Sequence, residues 1–153
     1  MLKLCKLIDN KSSDSNLVSI IGYGTFITRN LWKDKLNVEV CLVKNFTRVF
    51  PKNSWFPYVL PSKNSFWTLK FDVNQQELEL LDSIEGVFDD LFERIITEVY
   101  LKNNRKLSAY IYIPTKKTIA SQKLSLELDK TDRWKEEIKK YPEIVETFPE
   151  LVL

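Results

Sequence analysis

Short apolar runs separated by polar turns divide the chain, and several of them alternate with the period of two that a strand requires. Residues 17–21 read as a first buried strand, rich in β-branched side chains and stopped by Gly22. Thr28 or Asn30 is placed to cap a short helix or turn carrying Leu31 and Trp32. Residues 36–50 alternate imperfectly through Val38, Val40, Leu42 and Phe46, which predicts one or two strands. Pro51, Pro57 and Pro61 then interrupt the pattern, so residues 55–60 suit an edge strand or an ordered loop better than a central strand. The strand pattern resumes over residues 65–73 through Phe66, Trp67, Leu69 and Phe71.

A change of period follows. Asn74 can cap a helix with Glu77 at capping-box spacing, and Leu78, Leu80, Leu81 and Ile84 supply its inward stripe. That helix is expected to end close to Gly86. Residues 93–101 and 107–113 form the clearest hairpin, joined by the polar turn 102–106 and closed by Pro114. Beyond it the pattern predicts a solvent-rich segment, a C-terminal helix around residues 129–140, and a tail containing Pro142 and Pro149. Residues 1–16 read as an N-terminal arm whose apolar positions Leu2, Leu4, Leu7 and Ile8 could dock on the domain or on a partner. Residues 17–153 carry no internal repeat and no convincing boundary, which makes them one domain.

Composition agrees with a packed core: the 153 residues are 44% hydrophobic and 12% aromatic, enough apolar area to offset the entropy of ordering without metals or disulfides. The 23 basic and 21 acidic residues leave a formal charge of +2. The densest basic groupings, Lys116 with Lys117 and Lys139 with Lys140, are isolated pairs, so nucleic acid is not an expected partner. Cys5 and Cys41 are too few and too far apart for a metal motif; they fit free thiols in a reducing compartment, with a disulfide between them as the alternative. No run approaches the roughly 20 apolar residues that span a bilayer, and the start has no signal-peptide core. The expected location is cytoplasmic, with no membrane partner.

The chain contains no histidine. That excludes a Ser-His-Asp triad, a Cys-His pair and a histidine-bearing zinc site from these residues. Acid and base work near neutral pH would fall to a carboxyl group with a raised pKa, a lysine with a lowered one, a cysteine, a tyrosine or a terminal amine. The three glycines are Gly22, Gly24 and Gly86. A sharp loop containing the first two can aim consecutive N–H groups into a concavity suited to a carboxylate or a developing oxyanion; the plain alternative is a tight turn. Gly86 directly follows Glu85, which sits between Ile84 and the apolar Val87 and Phe88. An apolar surround would raise the Glu85 pKa, whereas the plain reading is a solvated residue in a last helical turn.

These pieces together resemble the γ-glutamylcyclotransferase-like family, also called AIG2-like or BtrG-like. The family's strand leading into a Y-G-[ST] loop is matched by IIGYGTF from Ile20 to Phe26, and its helix ending in LDxxEG by LDSIEGV from Leu81 to Val87. FERIITEV from Phe92 to Val99 and AYIYI from Ala109 to Ile113 resemble its later strand pair. The resemblance covers residues 17–114 and implies an α+β fold: a small mixed-sheet β-barrel with flanking helices. It also implies conversion of a small γ-glutamyl amide to 5-oxoproline and a free amine, without cofactor or metal. Glu85 would be the catalytic acid and base, and Tyr23, Gly24, Thr25 and Phe26 the loop that cradles substrate. Phe92 and Arg94 would line the same site, although an arginine there could instead form a structural ion pair. Arg29 and Arg48 are further candidates for an outer carboxylate, weighed against surface or structural roles. The position seven residues after the acid, commonly tyrosine in active members, is Phe92 here. That departure motivates the alternative of a noncatalytic metabolite-binding or regulatory domain of the same fold. The leaving amine and the oligomeric state stay open.

Overall fold

The computed structural model describes residues 16–127 and 131–153. Most of the proposed N-terminal arm, Cys5 and the expected start of the last helix at Asp129 lie outside the described residues. Five strands close into a barrel in the order β1, β3, β2, β4, β5. They are β1 Val18–Gly22, β2 Leu36–Val49, β3 Tyr58–Val73, β4 Phe92–Leu101 and β5 Lys106–Pro114. The pairs β2–β3, β2–β4, β4–β5 and β1–β3 are antiparallel, and β1 closes the ring against β5 in parallel at Ile20 and Tyr110. The sheet is therefore mixed, as expected.

Residues 36–50 form one strand rather than two. A register shift between Lys44 and Phe46 lets it bend, with Asn45 between them at φ 69. Residues 58–73 likewise make one long strand through Pro61, which pairs only with Phe46 of β2. The proline is tolerated because β1 covers β3 only from Leu69 to Val73. Over its first half β3 has a free edge, where a missing N–H leaves no partner unsatisfied.

The helices are short. They are α1 Thr25–Thr28, α2 Gln75–Ile84, α3 Lys116–Gln122, α4 Arg133–Ile138 and α5 Pro142–Thr147. Asn74 Oδ1 accepts from the Glu77 amide at 2.9 Å and starts α2 as its spacing predicts. Three expectations are refined or corrected. Asn30 takes the N-cap position of the expected turn, a 3-10 turn over Leu31–Asp34, at φ 59, but neither it nor Thr28 supplies a side-chain capping bond, and Thr28 is buried with its hydroxyl on the Thr25 carbonyl. The segment after Pro114 is helical, because Thr115 caps α3 through the Thr118 amide at 3.3 Å and holds the Asp90 carbonyl at 2.6 Å. The tail folds as α5 and a closing 3-10 turn, Pro149–Val152, each with proline near its start where the missing N–H costs nothing.

Strand alternation divides the core. Ile21, Cys41, Val43, Phe46, Val59, Phe66, Val99, Leu101, Ala109 and Ile111 come from all five strands and fill the barrel interior. Cys41 is a free, buried thiol. The opposite strand faces are covered by helices. Val40 and Leu69 pack against Ile27, Trp134, Ile138, Ile144 and Leu151, while Ile20, Phe71 and Val73 pack against Leu78 of α2. Both coverings meet at Phe26, whose ring stacks on Phe71 with centroids 4.1 Å apart. Among the described residues no helix is long and apolar enough to cross a membrane.

Candidate active site

The end of β1 and the end of α2 face each other across a narrow cleft with about 70 Å³ of water-accessible space. Residues 21–26, Phe56, Pro57, Glu85, Phe92 and Tyr112 line it. Five of the expected binding residues, Tyr23, Gly24, Thr25, Phe26 and Phe92, are thus brought together with Glu85. Arg94 is not among them. Its guanidinium grips Asp82, Nε to Oδ1 at 2.8 Å and Nη2 to Oδ2 at 3.1 Å, and lies over the Tyr110 ring. The geometry is that of a structural ion pair, the alternative its sequence position allowed.

The loop bends at this point because Gly24 closes against the β2–β3 connection. A Cβ on Gly24 would lie 2.7 Å from Pro57 Cγ, closer than nonbonded carbons tolerate. Gly24 also accepts from the Ile27 amide at 3.0 Å and starts α1. The amides of Thr25 and Phe26, in the first turn of α1, have no acceptor within the helix. They belong to residues that line the cleft. Gly24→Ala is expected to cost about 1–3 kcal/mol through this overpacking. Urea unfolding measures that cost, and a midpoint unchanged from the parent would show that Pro57 gives way freely.

Glu85 is the residue that caps the end of α2, its amide bonded to the Leu81 carbonyl at 2.8 Å. Gly86 then turns the chain at φ 73, a conformation glycine adopts without strain. The turn leaves Glu85 half-buried beside the cleft, and desolvation raises its pKa above the ordinary carboxylate value. Glu77, Glu79, Asp89, Asp90 and Glu93 do not line the cleft. Asp82 does not line it either; it is buried under Arg94 and Tyr112.

Tyr23 is held rather than free. Its hydroxyl donates to the Tyr112 carbonyl at 2.6 Å, and burial with the nearby Glu85 charge pushes its phenol pKa far up. Behind it, Arg48 is 3% exposed. Its Nε donates to the Tyr23 carbonyl at 3.1 Å, its Nη2 to the Trp67 carbonyl at 3.3 Å, and its Nη1 pairs with Asp132 Oδ2 at 2.9 Å. The Phe66 and Trp134 rings lie against the guanidinium at 4.4 and 4.1 Å. Arg48 therefore props the loop from the barrel side and does not line the cleft. Arg29 lies exposed and does not line the cleft.

Tyr112 is a cleft residue that sequence reasoning missed. Its hydroxyl donates to Asp82 Oδ1 at 2.7 Å, and burial together with that bond raises its pKa well beyond the ordinary phenol value. Its hydroxyl is thus turned to the buried Asp82, which does not line the cleft, while its carbonyl holds Tyr23. The AYIYI strand pattern marked Tyr112 as a strand residue, but nothing local distinguished it from Tyr110. Phe56 and Pro57 were also missed, since they reach the cleft from the proline-punctuated loop. Among the described residues no cluster of three or more His, Cys, Asp or Glu side chains is placed to hold a metal ion.

A family model described as gamma-glutamyl cyclotransferase, AIG2-like, matches residues 20–136. No curated protein matches the sequence. Among solved structures, one named gamma-glutamyl cyclotransferase is 17% identical with a TM-score of 0.55, over 65% of this chain and 67% of that one. An AIG2-like protein from Mus musculus is 19% identical with a TM-score of 0.52, over 64% and 77%. A protein from Arabidopsis thaliana is 17% identical with a TM-score of 0.62, over 89% and 82%. At these identities the structures share the fold of this chain.

Proposed function

We propose, on the premise that this chain belongs to the gamma-glutamyl cyclotransferase, AIG2-like family, that it cyclises small γ-glutamyl amides to 5-oxoproline and releases the amine. The observation that carries this reading is Glu85, a partly desolvated carboxyl group in the same cleft as the loop Gly22 to Phe26. The reaction needs the substrate's α-amine to attack its own γ-carbonyl, and an ammonium group has no free lone pair. Glu85 takes a proton from the ammonium before attack. The nitrogen then bonds to the γ-carbon, and the carbonyl oxygen becomes an oxyanion. Collapse of this intermediate breaks the bond to the departing nitrogen, which receives the proton from Glu85. A second proton follows the same route as the lactam forms, so the amine leaves as an ammonium ion. A carboxyl with a raised pKa suits both roles, accepting and returning protons near neutrality.

The loop supplies the complementary half. Amides of Thr25 and Phe26 are suited to hold the substrate α-carboxylate or the oxyanion, and loss of one aligned oxyanion donor costs roughly 3 kcal/mol of barrier. Because the reaction is intramolecular, most of the protein's task is to fold the substrate into attacking geometry. Arg48 behind Tyr23, and Tyr23 itself on the Tyr112 carbonyl, fix the loop for that purpose.

Incubation with a panel of γ-glutamyl amides is expected to yield 5-oxoproline and free amine in equal amounts. The rate at limiting substrate is expected to rise with pH through an apparent pKa above the ordinary carboxylate range, because only ionised Glu85 accepts the first proton. A folded protein inactive across the panel at every pH would overturn the reading. Phe92, which lines the cleft without a hydroxyl, favours one second reading: a domain that binds such metabolites without converting them. Binding of the panel without chemical change would select it.

A further inference from the structure

Four aromatic rings adjoin one another at the cleft: Phe92 and Phe56 both line it, Tyr58 touches both, and Trp55 lies beyond Phe56. Phe92, a cleft residue, stacks on Tyr58 with centroids 5.7 Å apart and planes within 5°. Tyr58 meets Phe56 edge to face at 5.6 Å, and Phe56 meets Trp55 at 6.5 Å. The two farthest from Phe92 are partly open, Phe56 at 39% and Trp55 at 37%. Their loop is nevertheless tied down. Arg133 Nη1 donates to the carbonyls of Pro51 at 3.1 Å and Ser54 at 2.6 Å, and Ser54 Oγ accepts from the Phe56 amide at 3.0 Å. Pro57 is buried against Gly24. Holding exposed rings on a fixed loop sacrifices entropy and apolar burial together. A ligand that covers the rings returns the second.

Charge narrows what that ligand is. Among the described residues lining the cleft, Glu85 is the charged one. The guanidinium groups of Arg48 and Arg94 are paired with Asp132 and Asp82. In the reading above, the loop amides take the α-carboxylate of the glutamyl head and Glu85 takes its ammonium. A second carboxylate, on the amine half, would meet no cation lining the cleft, and beside the ring-bearing loop the Arg133 guanidinium is engaged by the Pro51 and Ser54 carbonyls.

We propose that Phe92, Tyr58, Phe56 and Trp55 form a shelf that binds the amine half of the substrate, selecting γ-glutamyl amides of aromatic amines that lack a carboxylate. The assignment rests on the γ-glutamyl reading of the cleft. The glutamyl head enters beside Glu85, and the flat group of the amine lies along Phe56 and Trp55, as one aromatic ring packs on another.

The test compares γ-glutamylbenzylamide, γ-glutamylethylamide and γ-glutamylphenylalanine, by kcat/KM and, in parallel, by calorimetric Kd. The benzylamide is expected to exceed the ethylamide by about tenfold and to exceed γ-glutamylphenylalanine. In Phe56→Ala, and separately in Trp55→Ala, the benzyl-to-ethyl ratio is expected to fall toward one. Turnover with equal preference for benzyl and ethyl, a ratio that survives both substitutions, or a preference for γ-glutamylphenylalanine overturns the shelf while leaving the cyclotransferase reading intact. An aromatic preference in Kd that Phe56→Ala abolishes, with no turnover of any compound, supports the shelf and sinks the catalytic reading. Failure to bind or convert any of the three overturns both.

Discussion

Glu85→Gln is expected to slow 5-oxoproline formation by about a hundredfold to ten-thousandfold, the range over which positioned acid–base groups act. The amide side chain keeps the size of the original and its place at the end of α2, but it cannot carry a proton between the two nitrogens. Stability is expected to move the other way. Burial raises the Glu85 pKa from its ordinary 4.5, so the folded state binds the proton more tightly than the unfolded chain. The stability tied to that proton is present below the unfolded pKa and is lost as pH rises through the folded one. At neutral pH an ionised Glu85 therefore weighs against folding, and the neutral glutamine removes that weight. The variant should unfold at a temperature equal to or above the parent while losing activity. A rate within threefold of the parent would remove Glu85 from proton transfer, and a large drop in melting temperature would mean the lost activity reported misfolding.

Asp132→Ala is expected to cause the largest loss of stability, about 3 kcal/mol or more, because it strands the buried Arg48 guanidinium without its counter-ion. Burial already pulls the Arg48 pKa down, and Asp132 opposes that pull. Asp132 also caps α4 through the Lys135 amide at 3.1 Å, a contact worth about 1 kcal/mol in addition. For a chain of this size the combined loss corresponds to a fall of about 10 °C in the melting temperature. Asp132→Asn keeps the cap and loses only the charge, so its loss should be smaller. Combining Asp132→Ala with Arg48→Met should recover part of the deficit, since the double variant no longer buries an unpaired cation. If Asp132→Ala shifted urea unfolding by less than about 1 kcal/mol, the guanidinium would have to be solvated by another route. The same pair bears on the cleft. Arg48 holds the Tyr23 carbonyl, so loosening it should disturb the loop before the barrel itself fails.

The elements that sequence reasoning placed well are those with a local cause. Asn74, Glu77 and the apolar stripe that follows announce α2, and the Glu85–Gly86 pair announces its end. The hairpin of β4 and β5 follows from alternation around a polar turn. Local signals misled where the competing cause lay elsewhere in the chain. The segment after Pro114 looked solvated, yet Thr115 and Thr118 bond the carbonyls of Asp90 and Leu91 and anchor α3 there. Pro61 looked like a strand breaker, and its strand survives because β1 is too short to cover that edge. Arg94 was carried into the site by its place in a motif; Asp82, twelve residues earlier on α2, claims its guanidinium.

By itself, then, the sequence determined the glycine-bearing loop, the helix that ends at Glu85 and the hairpin after it. Each is written in a short stretch, where backbone conformation and neighbouring side chains are set within a few residues. The barrel with its flanking helices was implied only by the family resemblance those stretches carry. Only the tertiary structure decided what completes the cleft: Tyr112, the Phe56–Pro57 wall, and the Arg48 prop behind the loop. The bond from Tyr23 to Tyr112 spans 89 positions and that from Arg48 to Asp132 spans 84. Contacts of that reach leave no periodic trace, because their partners meet only after the barrel has closed and desolvation has made each unpaired polar group costly.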